Sequence, residues 1–466
     1  MSIRRTLLLF CLTLAGFAAA QQPGTTKWNR PHNGNPFIPG YNADATVLQD
    51  NGITYVFATE DPWGGRTLSC WMSADVVHWS SCSLNWPTKE AATSPTSKNS
   101  MVWAPSVIHA PNGRYYMYVS VGSEVWVGVA DRPLGPWSNA LGDRPLIRAD
   151  FDRRYHMIDA EVFVDTDGQA YLYWGSGLNW VNGHCFVVRL KADMVTFDGE
   201  PKDVTPGHYF EGPFMFKHGN AYYLMYSEGK TTDDTYNVRY SVADNPFGPF
   251  HEGATSPILV SDKEHDILGP GHHAVFERGG KTYIVYHRHS LPFQTASVLR
   301  QLCMDELVID DAARTLHKVT PTHTGPALLH TSVRDAGHLS VTATASSTIG
   351  KDFAEGAVLD DNYATRWQPS ADDKAPWLVL DLGRPIAGTT AKVSFEYAWK
   401  RYRYRLEGSL DGMQWLPIVD RSGEGTSGSP TEFPRLPRVR YLRLNFAAGT
   451  PASDLAIFEW KVYRGQ

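Results

Sequence analysis

Three acidic residues stand at related places in a repeating pattern, and their surroundings are not those of solvated surface groups. Asp44 lies in Tyr41-Asn42-Ala43-Asp44-Ala45-Thr46-Val47, Asp159 in Met157-Ile158-Asp159-Ala160-Glu161-Val162-Phe163, and Glu211 in His208-Tyr209-Phe210-Glu211-Gly212-Pro213-Phe214. Apolar and aromatic neighbours make an isolated anion costly to bury. Such a carboxyl must be paired, hydrogen-bonded or held partly protonated, and those are the conditions for acid–base chemistry. One protonated carboxyl would give a proton to a leaving group, while an ionised one would activate a water molecule.

The elements that must position these groups are short strands. Helical periodicity is almost absent, and runs rich in Val, Ile, Tyr and Phe are punctuated by 40 Gly and 30 Pro, an all-β signature. A turn followed by an aromatic-rich strand recurs five times, at Asn51-Gly52, Asn112-Gly113, Asp167-Gly168, His218-Gly219 and Gly279-Gly280. The second glycine of the last pair and its four counterparts lie 61, 55, 51 and 61 residues apart. Each pair predicts a hairpin turn, and a period of that length holds about four strands, the content of a propeller blade. The expected fold is therefore a five-bladed β-propeller; the alternative is a sandwich with evenly spaced hairpins. The innermost strand of a blade lines the central channel, so its first residue should sit at a constant offset before the turn glycine. Counting back eight gives Asp44, Pro105, Ala160, Glu211 and His272, with Asp159 one residue further back.

Several of these stretches resemble glycoside hydrolase family 43. They are Ile158-Asp159-Ala160-Glu161-Val162-Phe163-Val164-Asp165-Thr166-Asp167-Gly168, Glu211-Gly212-Pro213 and Gly269-Pro270-Gly271-His272-His273, within a similarity running from about Asn35 to Pro326. The resemblance implies a five-bladed propeller with one catalytic acid from each of blades one, three and four. It makes Asp44 the general base, Glu211 the general acid and Asp159 the carboxylate that orients the acid and raises its pKa. The family often has Asp-Pro at the base, where this sequence has Asp44-Ala45. Glu161, two residues from Asp159 and hence on the same strand face, is a rival for its role. Asp165 and Asp167 read as hairpin residues. An inverting mechanism would separate acid and base by roughly 6.5–9.5 Å to admit water. The resemblance further implies a histidine on the propeller axis at His272, beside a structural calcium or a water, and an arginine, Arg288, reaching the cleaved sugar. No cofactor is required. Trp103 and Trp63 are candidates for stacking on the substrate, Trp103 at the head of the second inner strand and Trp63 in the Asp61-Pro62-Trp63-Gly64-Gly65 loop.

Residues beyond about 335 do not continue the repeat. Thr344-Ala345-Ser346-Ser347, Val358-Leu359-Asp360-Asp361-Asn362-Tyr363-Ala364-Thr365-Arg366-Trp367 and Trp377-Leu378-Val379-Leu380-Asp381-Leu382-Gly383 resemble the discoidin, or factor 5/8 C-type, family. The resemblance implies a jelly-roll β-sandwich of galactose-binding type, similar to carbohydrate-binding module family 32, with Arg366 and Trp367 in structural roles. The expected division is a signal peptide over 1–20, a propeller over 21–328 and the sandwich over 329–466, with an irregular linker near 319–339.

The remaining features bound the setting. Arg4 and Arg5, the apolar stretch from Leu7 to Phe17 and Ala18-Ala19-Ala20 form a bacterial-type export signal, too short in its apolar part to span a membrane. A secreted or periplasmic protein is expected, with no membrane span. Net charge is −6, which argues against a nucleic-acid partner. Of the cysteines after the leader, Cys70 and Cys82 flank a strand–turn–strand pattern that suits a hairpin disulfide; buried free thiols are the alternative. The reading that follows is a monomeric, inverting, exo-acting hydrolase removing terminal α-L-arabinofuranose from plant polysaccharide side chains. β-D-Galactofuranosidase, β-D-xylosidase and endo-arabinanase activities suit the same scaffold, and a non-catalytic glycan-binding propeller is the alternative of another class.

Overall fold

A computed structural model describes residues 27–293, 297–330, 337–447 and 450–465. The expected leader lies outside the described residues.

Five antiparallel sheets follow one another along the chain, each with its strands in sequence order. The first contains Asn42–Asp50, Ile53–Glu60, Ser69–Ser73 and Ser80–Ser81. The next three have the same plan, with inner strands at Val102–His109, Glu161–Val164 and Glu211–His218. The fifth has three strands, Gly271–Arg278, Lys281–His289 and Arg300–Leu307. The turn glycines 52, 113, 168, 219 and 280 all adopt positive φ, the backbone that sets the hairpins. Second strands are nearly continuous in apolar residues because both of their faces are covered. Tyr115–Val121, for example, is buried throughout.

The core is not one mass but a set of wedges between neighbouring sheets. Leu48 and Phe57 of the first blade pack with Met117 and Trp126 of the second. Tyr118 and Val127 of the second meet Leu172 and Trp174 of the third, and Tyr173 meets Leu224 and Tyr226 of the fourth. Met225 and Val238 then pack on Ile284 and Tyr286 of the fifth. Val285 and Leu302 return to Val56 and Trp71 of the first, closing the ring. Closure is reinforced by a segment ahead of the first strand. The Phe37 amide donates to Leu302, and buried Asn35 donates to the carbonyls of Met304 and Thr322 at 2.8 and 3.0 Å while accepting from the Met304 amide at 2.9 Å.

The head of the inner strand carries a β-bulge in four blades, with register shifts at Ala43/Thr46, Trp103/Ser106, Glu211/Phe214 and Gly271/Ala274. One residue at this point is left-handed in every blade: Asp44, Ala104, Asp159, Gly212 and His272, with φ of 50, 46, 58, 62 and 39°. This corrects the fixed offset of eight, which holds for Asp44 and His272 but misses in the other blades. Asp159 is the true counterpart of Asp44. Glu211 precedes its blade's left-handed residue by one.

The region expected to be a linker is packed as far as it is described. Val319, Thr322 and His323 are buried, and a 3₁₀ turn spans Ala327–His330. The C-terminal part is a sandwich. One sheet orders Thr342–Ala345, Trp377–Ile386, Val439–Phe446, Tyr404–Ser409 and Leu416–Asp420; the other orders Thr431–Phe433, Thr390–Phe395 and Ile457–Tyr463. Trp367, Phe395, Leu444 and Trp460 fill its core. Arg366 is buried and ties the sandwich to the propeller, donating to the Leu291 carbonyl at 3.3 Å and lying 5.7 Å from the Tyr41 ring centre. Cys70 and Cys82 face each other across adjacent strands but remain free thiols, as do buried Cys185 and Cys303. Among the described residues no helix is long and apolar enough to cross a membrane.

Asn35 makes three buried hydrogen bonds that no solvent would replace. Asn35→Ala should cost about 3 kcal/mol, at roughly 1 kcal/mol per bond, seen as an earlier urea midpoint for the propeller transition.

Candidate active site

The left-handed residues sit where second strands of neighbouring blades can reach them. The amide of Ala104 donates to Thr59 Oγ1 at 2.8 Å, that of Asp159 to Ser120 Oγ at 2.9 Å, and that of His272 to Ser227 Oγ at 2.9 Å. In each case the hydroxyl comes from the second strand of the preceding blade. Between blades five and one an imidazole takes this place, with His287 Nδ1 3.4 Å from the Asp44 amide nitrogen. Between blades three and four the pattern changes. Ser176 donates to Glu211 Oε2 at 3.1 Å, and the Gly212 amide turns to Asp159 Oδ2 at 3.3 Å. The departure falls at the pair of carboxyls expected to handle the proton.

These groups line one funnel of about 400 Å³ that contains Asp44, Asp159, Glu211, His272, Trp63 and Trp103. The sequence-derived trio of acids is thus brought together. Asp44 is held by one cation and two imidazoles. Arg300 Nη1 lies 2.9 Å from Asp44 Oδ1, and His287 Nδ1 lies 3.2 Å from the same oxygen. The rest of the Arg300 fork is fixed on buried Asp61, with Nη2 2.7 Å from Oδ1 and Nε 3.0 Å from Oδ2. Burial opposes ionisation of Asp44, but Arg300, then His272 and His287, outweigh it and hold the carboxyl well below the usual range. Burial also drives His287 down to about 3. It is therefore a neutral imidazole, with Nδ1 beside both the amide and the carboxylate of Asp44 and Nε2 3.1 Å from the Thr231 hydroxyl.

Glu211 is in the opposite condition. Burial pushes its carboxyl up to about 7, against the hydrogen bonds from Tyr236 and Ser176 and with the help of the Asp44 charge. Tyr236 donates to Oε1 at 2.7 Å. Asp159 is raised well above a normal carboxyl, by burial first and then by the negative charges of Glu211 and Asp44. The expectation of a simply ionised Asp159 beside a protonated Glu211 becomes a coupled pair, in which a charge on either carboxyl keeps the proton on the other. His272 lies between the acids, its Nδ1 3.3 Å from Asp44 Oδ1 and 3.9 Å from Asp159 Oδ2. Gly212 suits the place beneath it, because at φ +62° a side chain would be strained and its Cβ would come within 3.2 Å of the imidazole.

The residues around His272 do not fit a calcium shell of their own. Calcium takes six to eight oxygens, and the carboxylate oxygen beside His272, Asp44 Oδ1, already serves Arg300 and His287. Among the described residues no group of three or more His, Cys, Asp and Glu side chains could hold a metal.

One expectation is corrected. Arg288 does not reach the funnel. It is 1% exposed and directs Nη2 to the Asn35 carbonyl at 3.4 Å. Strand alternation explains this: His287 faces Asp44, so its neighbour faces the seam between blades. The arginine of the site is Arg300, which pairs in register with His289 at the head of the next strand. Glu161 lies outside the funnel, where burial lifts it to about 8 against a hydrogen bond with Ser106. Asp165 is a hairpin group as expected, 2.7 Å from Lys217. Trp63 and Trp103 do face the funnel, joined by Trp180, which stacks on Phe210 at 5.7 Å. Trp180, His156, Ser176 and Tyr236 were missed because they are single residues in loops or just outside strands. Arg300 had one available signal, a charge at the head of a strand that turns apolar two residues on, at Leu302 and Cys303.

Residues 33–312 match the family model of glycosyl hydrolases family 43, and residues 342–459 match that of the F5/8 type C domain. A β-D-galactofuranosidase of Aspergillus niger is 32% identical over 327 residues, covering 67% of this chain and 92% of its own length. An arabinoxylan arabinofuranohydrolase of Paenibacillus polymyxa is 27% identical over 328 residues, or 61% of this chain, which spans 50% of that relative. A solved glycoside hydrolase superposes with a TM-score of 0.78 at 29% identity, covering 94% of this chain and 100% of the other.

The Tyr236 hydroxyl favours ionised Glu211, so removing it must raise the pH at which Glu211 loses its proton. If Glu211 acts as an acid, the rate falls as pH rises through about 7, and Tyr236→Phe should move that basic limb upward in a kcat/KM–pH profile.

Proposed function

The chain belongs to glycosyl hydrolases family 43 and is a glycoside hydrolase acting on glycans, and from that premise we propose an exo-acting, inverting enzyme that removes terminal α-L-arabinofuranose from polysaccharide side chains. The observation that carries the reading is the opposite protonation of two acids in one funnel. Asp44 is kept ionised by Arg300, while Glu211 is kept protonated to about pH 7.

In this mechanism Glu211 gives its proton to the glycosidic oxygen as the bond to the anomeric carbon breaks. Asp44 takes a proton from a water molecule attacking the opposite face of that carbon. Arg300 and His287 fix the Asp44 carboxylate towards the water. Burial and the Asp44 charge keep the acid loaded until the leaving group draws the proton away, and Asp159, accepting from the Gly212 amide, fixes the backbone next to Glu211. The three tryptophans of the funnel would flank the sugar. No step uses a resident metal. An export-type segment at the N-terminus supports a secreted or periplasmic enzyme, and the reading is of a monomer whose sandwich serves as a carbohydrate-binding module.

A second substrate has a specific observation in its favour. The Aspergillus niger relative is named for β-D-galactofuranose, whose ring stereochemistry matches α-L-arabinofuranose apart from the longer exocyclic arm. The two readings differ only in the room needed beyond C4 of the sugar.

The test is release of 4-nitrophenol from α-L-arabinofuranoside, β-D-galactofuranoside and β-D-xylopyranoside by the wild type and by Asp44→Asn. One furanoside should be cleaved, and the variant should lose about 10³-fold or more in kcat. Proton NMR of the first-formed sugar should show the inverted anomer. Full activity in Asp44→Asn would sink the assignment of the base, and a retained anomer would sink inversion. Glu211→Gln should lose less on the nitrophenyl glycoside than on an oligosaccharide, because nitrophenolate departs without protonation.

A further inference from the structure

The sandwich meets the propeller at the end where the catalytic groups are. Inner strands begin at that end and second strands finish there, as the pairing of Asn42 with Glu60 shows. Several propeller residues that touch the sandwich belong to it. Tyr41, just ahead of the first inner strand, donates to Glu396 at 3.0 Å. Leu291 follows the last second strand, and Gln301 at the head of the next donates to the Tyr363 carbonyl at 2.8 Å. Ser81 exchanges hydrogen bonds with Ser429, both at 2.7 Å.

One loop of the sandwich comes close to the funnel wall. Glu396, Tyr397 and Trp399 share a narrow crevice with Asn42, Glu60 and Trp71 of the first blade, and the Tyr397 ring lies 5.4 Å from that of Tyr41. Glu60 is the root of the 61–65 loop, anchored by the Gly64 amide on its carbonyl, which carries Trp63 into the funnel. The same short wall therefore has Trp63 on its inner side and the Tyr397–Trp399 loop on its outer side. Trp399 is 55% exposed and Trp63 42%. Trp399 takes no part in the sandwich core, which Trp367 and Trp460 fill. Its ring lies 5.4 Å from Tyr397, which supports it from one side. An exposed, propped indole beside a sugar-cleaving funnel offers an apolar face to a pyranose or furanose ring.

We propose that Trp399 extends the substrate cleft, binding the sugar units on the leaving-group side of the cleaved bond as they pass over Trp63, so that the second domain contributes to recognition of the polymer. The inference rests on the glycosidase reading above. It requires a substrate longer than the terminal sugar, and an aryl glycoside, whose leaving group ends at one ring, does not reach Trp399.

The experiment compares wild type, Trp399→Ala and Trp399→Phe on the 4-nitrophenyl furanoside and on soluble arabinan. Trp399→Ala should lower kcat/KM on the polymer about fivefold, the loss of about 1 kcal/mol, and leave the aryl glycoside within about twofold. Trp399→Phe should restore most of the polymer rate. Equal losses on both substrates, or no loss on the polymer, overturn the proposal. Binding of arabinan to Asp44→Asn with and without Trp399→Ala, followed by affinity electrophoresis, separates the two ideas. Silence of the wild type on every glycoside would strike the proposed function, whereas unaltered retardation would strike the role of Trp399.

Discussion

Everything at the centre of this molecule depends on a left-handed residue at the head of each inner strand. An L-residue with a side chain costs of order 1–3 kcal/mol in that conformation, and Asp44, Asp159 and His272 all adopt it. The left-handed turn, with or without a bulge beside it, brings these three side chains to the funnel instead of leaving them between the sheets. Hydroxyls from preceding blades hold the freed amides, and apolar wedges hold the blades that carry those hydroxyls. Ring closure is thus part of the site. Asp44 belongs to the first blade, but His287 and Arg300, which set its charge, belong to the last.

The second feature is a division of charge across a short distance. Asp44, Asp159 and Glu211 are all buried enough for desolvation to raise them, yet only Asp44 escapes, because Arg300 is fixed on Asp61 and spares one nitrogen for it. A buried arginine between two carboxylates has its charge compensated on both sides, which makes the arrangement tolerable in a dry interior. The other two acids have hydroxyl and amide donors but no cation of their own in hydrogen-bonding contact, so they remain a proton-holding pair. Opposite roles for like residues follow from their neighbours, not from their identity.

The sandwich adds a different kind of constraint. Its core is closed and independent in composition, yet Arg366, Glu396 and Ser429 fix it against the first and last blades at the catalytic end. A module free to swing on a tether would bind glycan without shaping the cleft. A docked one can shape it, and here the docking uses the same two blades whose junction forms the base side of the site.

The fold was legible in the sequence because hairpin turns demand particular residues, and Asn-Gly, Asp-Gly and Gly-Gly pairs marked each blade. The acids were legible because a carboxyl among apolar residues at a repeated position has few structural uses. The fixed offset failed by one residue in three blades, because the stretch from the left-handed residue to the turn glycine varies from seven to nine residues and no residue type marks its start. Arg288 was misplaced for a related reason: the similarity pointed to the right strand pair, but only alternation in the folded sheet decides that His287 faces Asp44 and its neighbour faces the seam. The partners of Glu211, Ser176 and Tyr236, come from a loop after the third blade's second strand and from just ahead of a strand in the fourth. Local pattern therefore determined which elements form and which acids stand at their heads. Which groups surround each acid, and hence which keeps its proton, was decided by the tertiary structure, because burial and charge at a site are sums over residues distant in the chain.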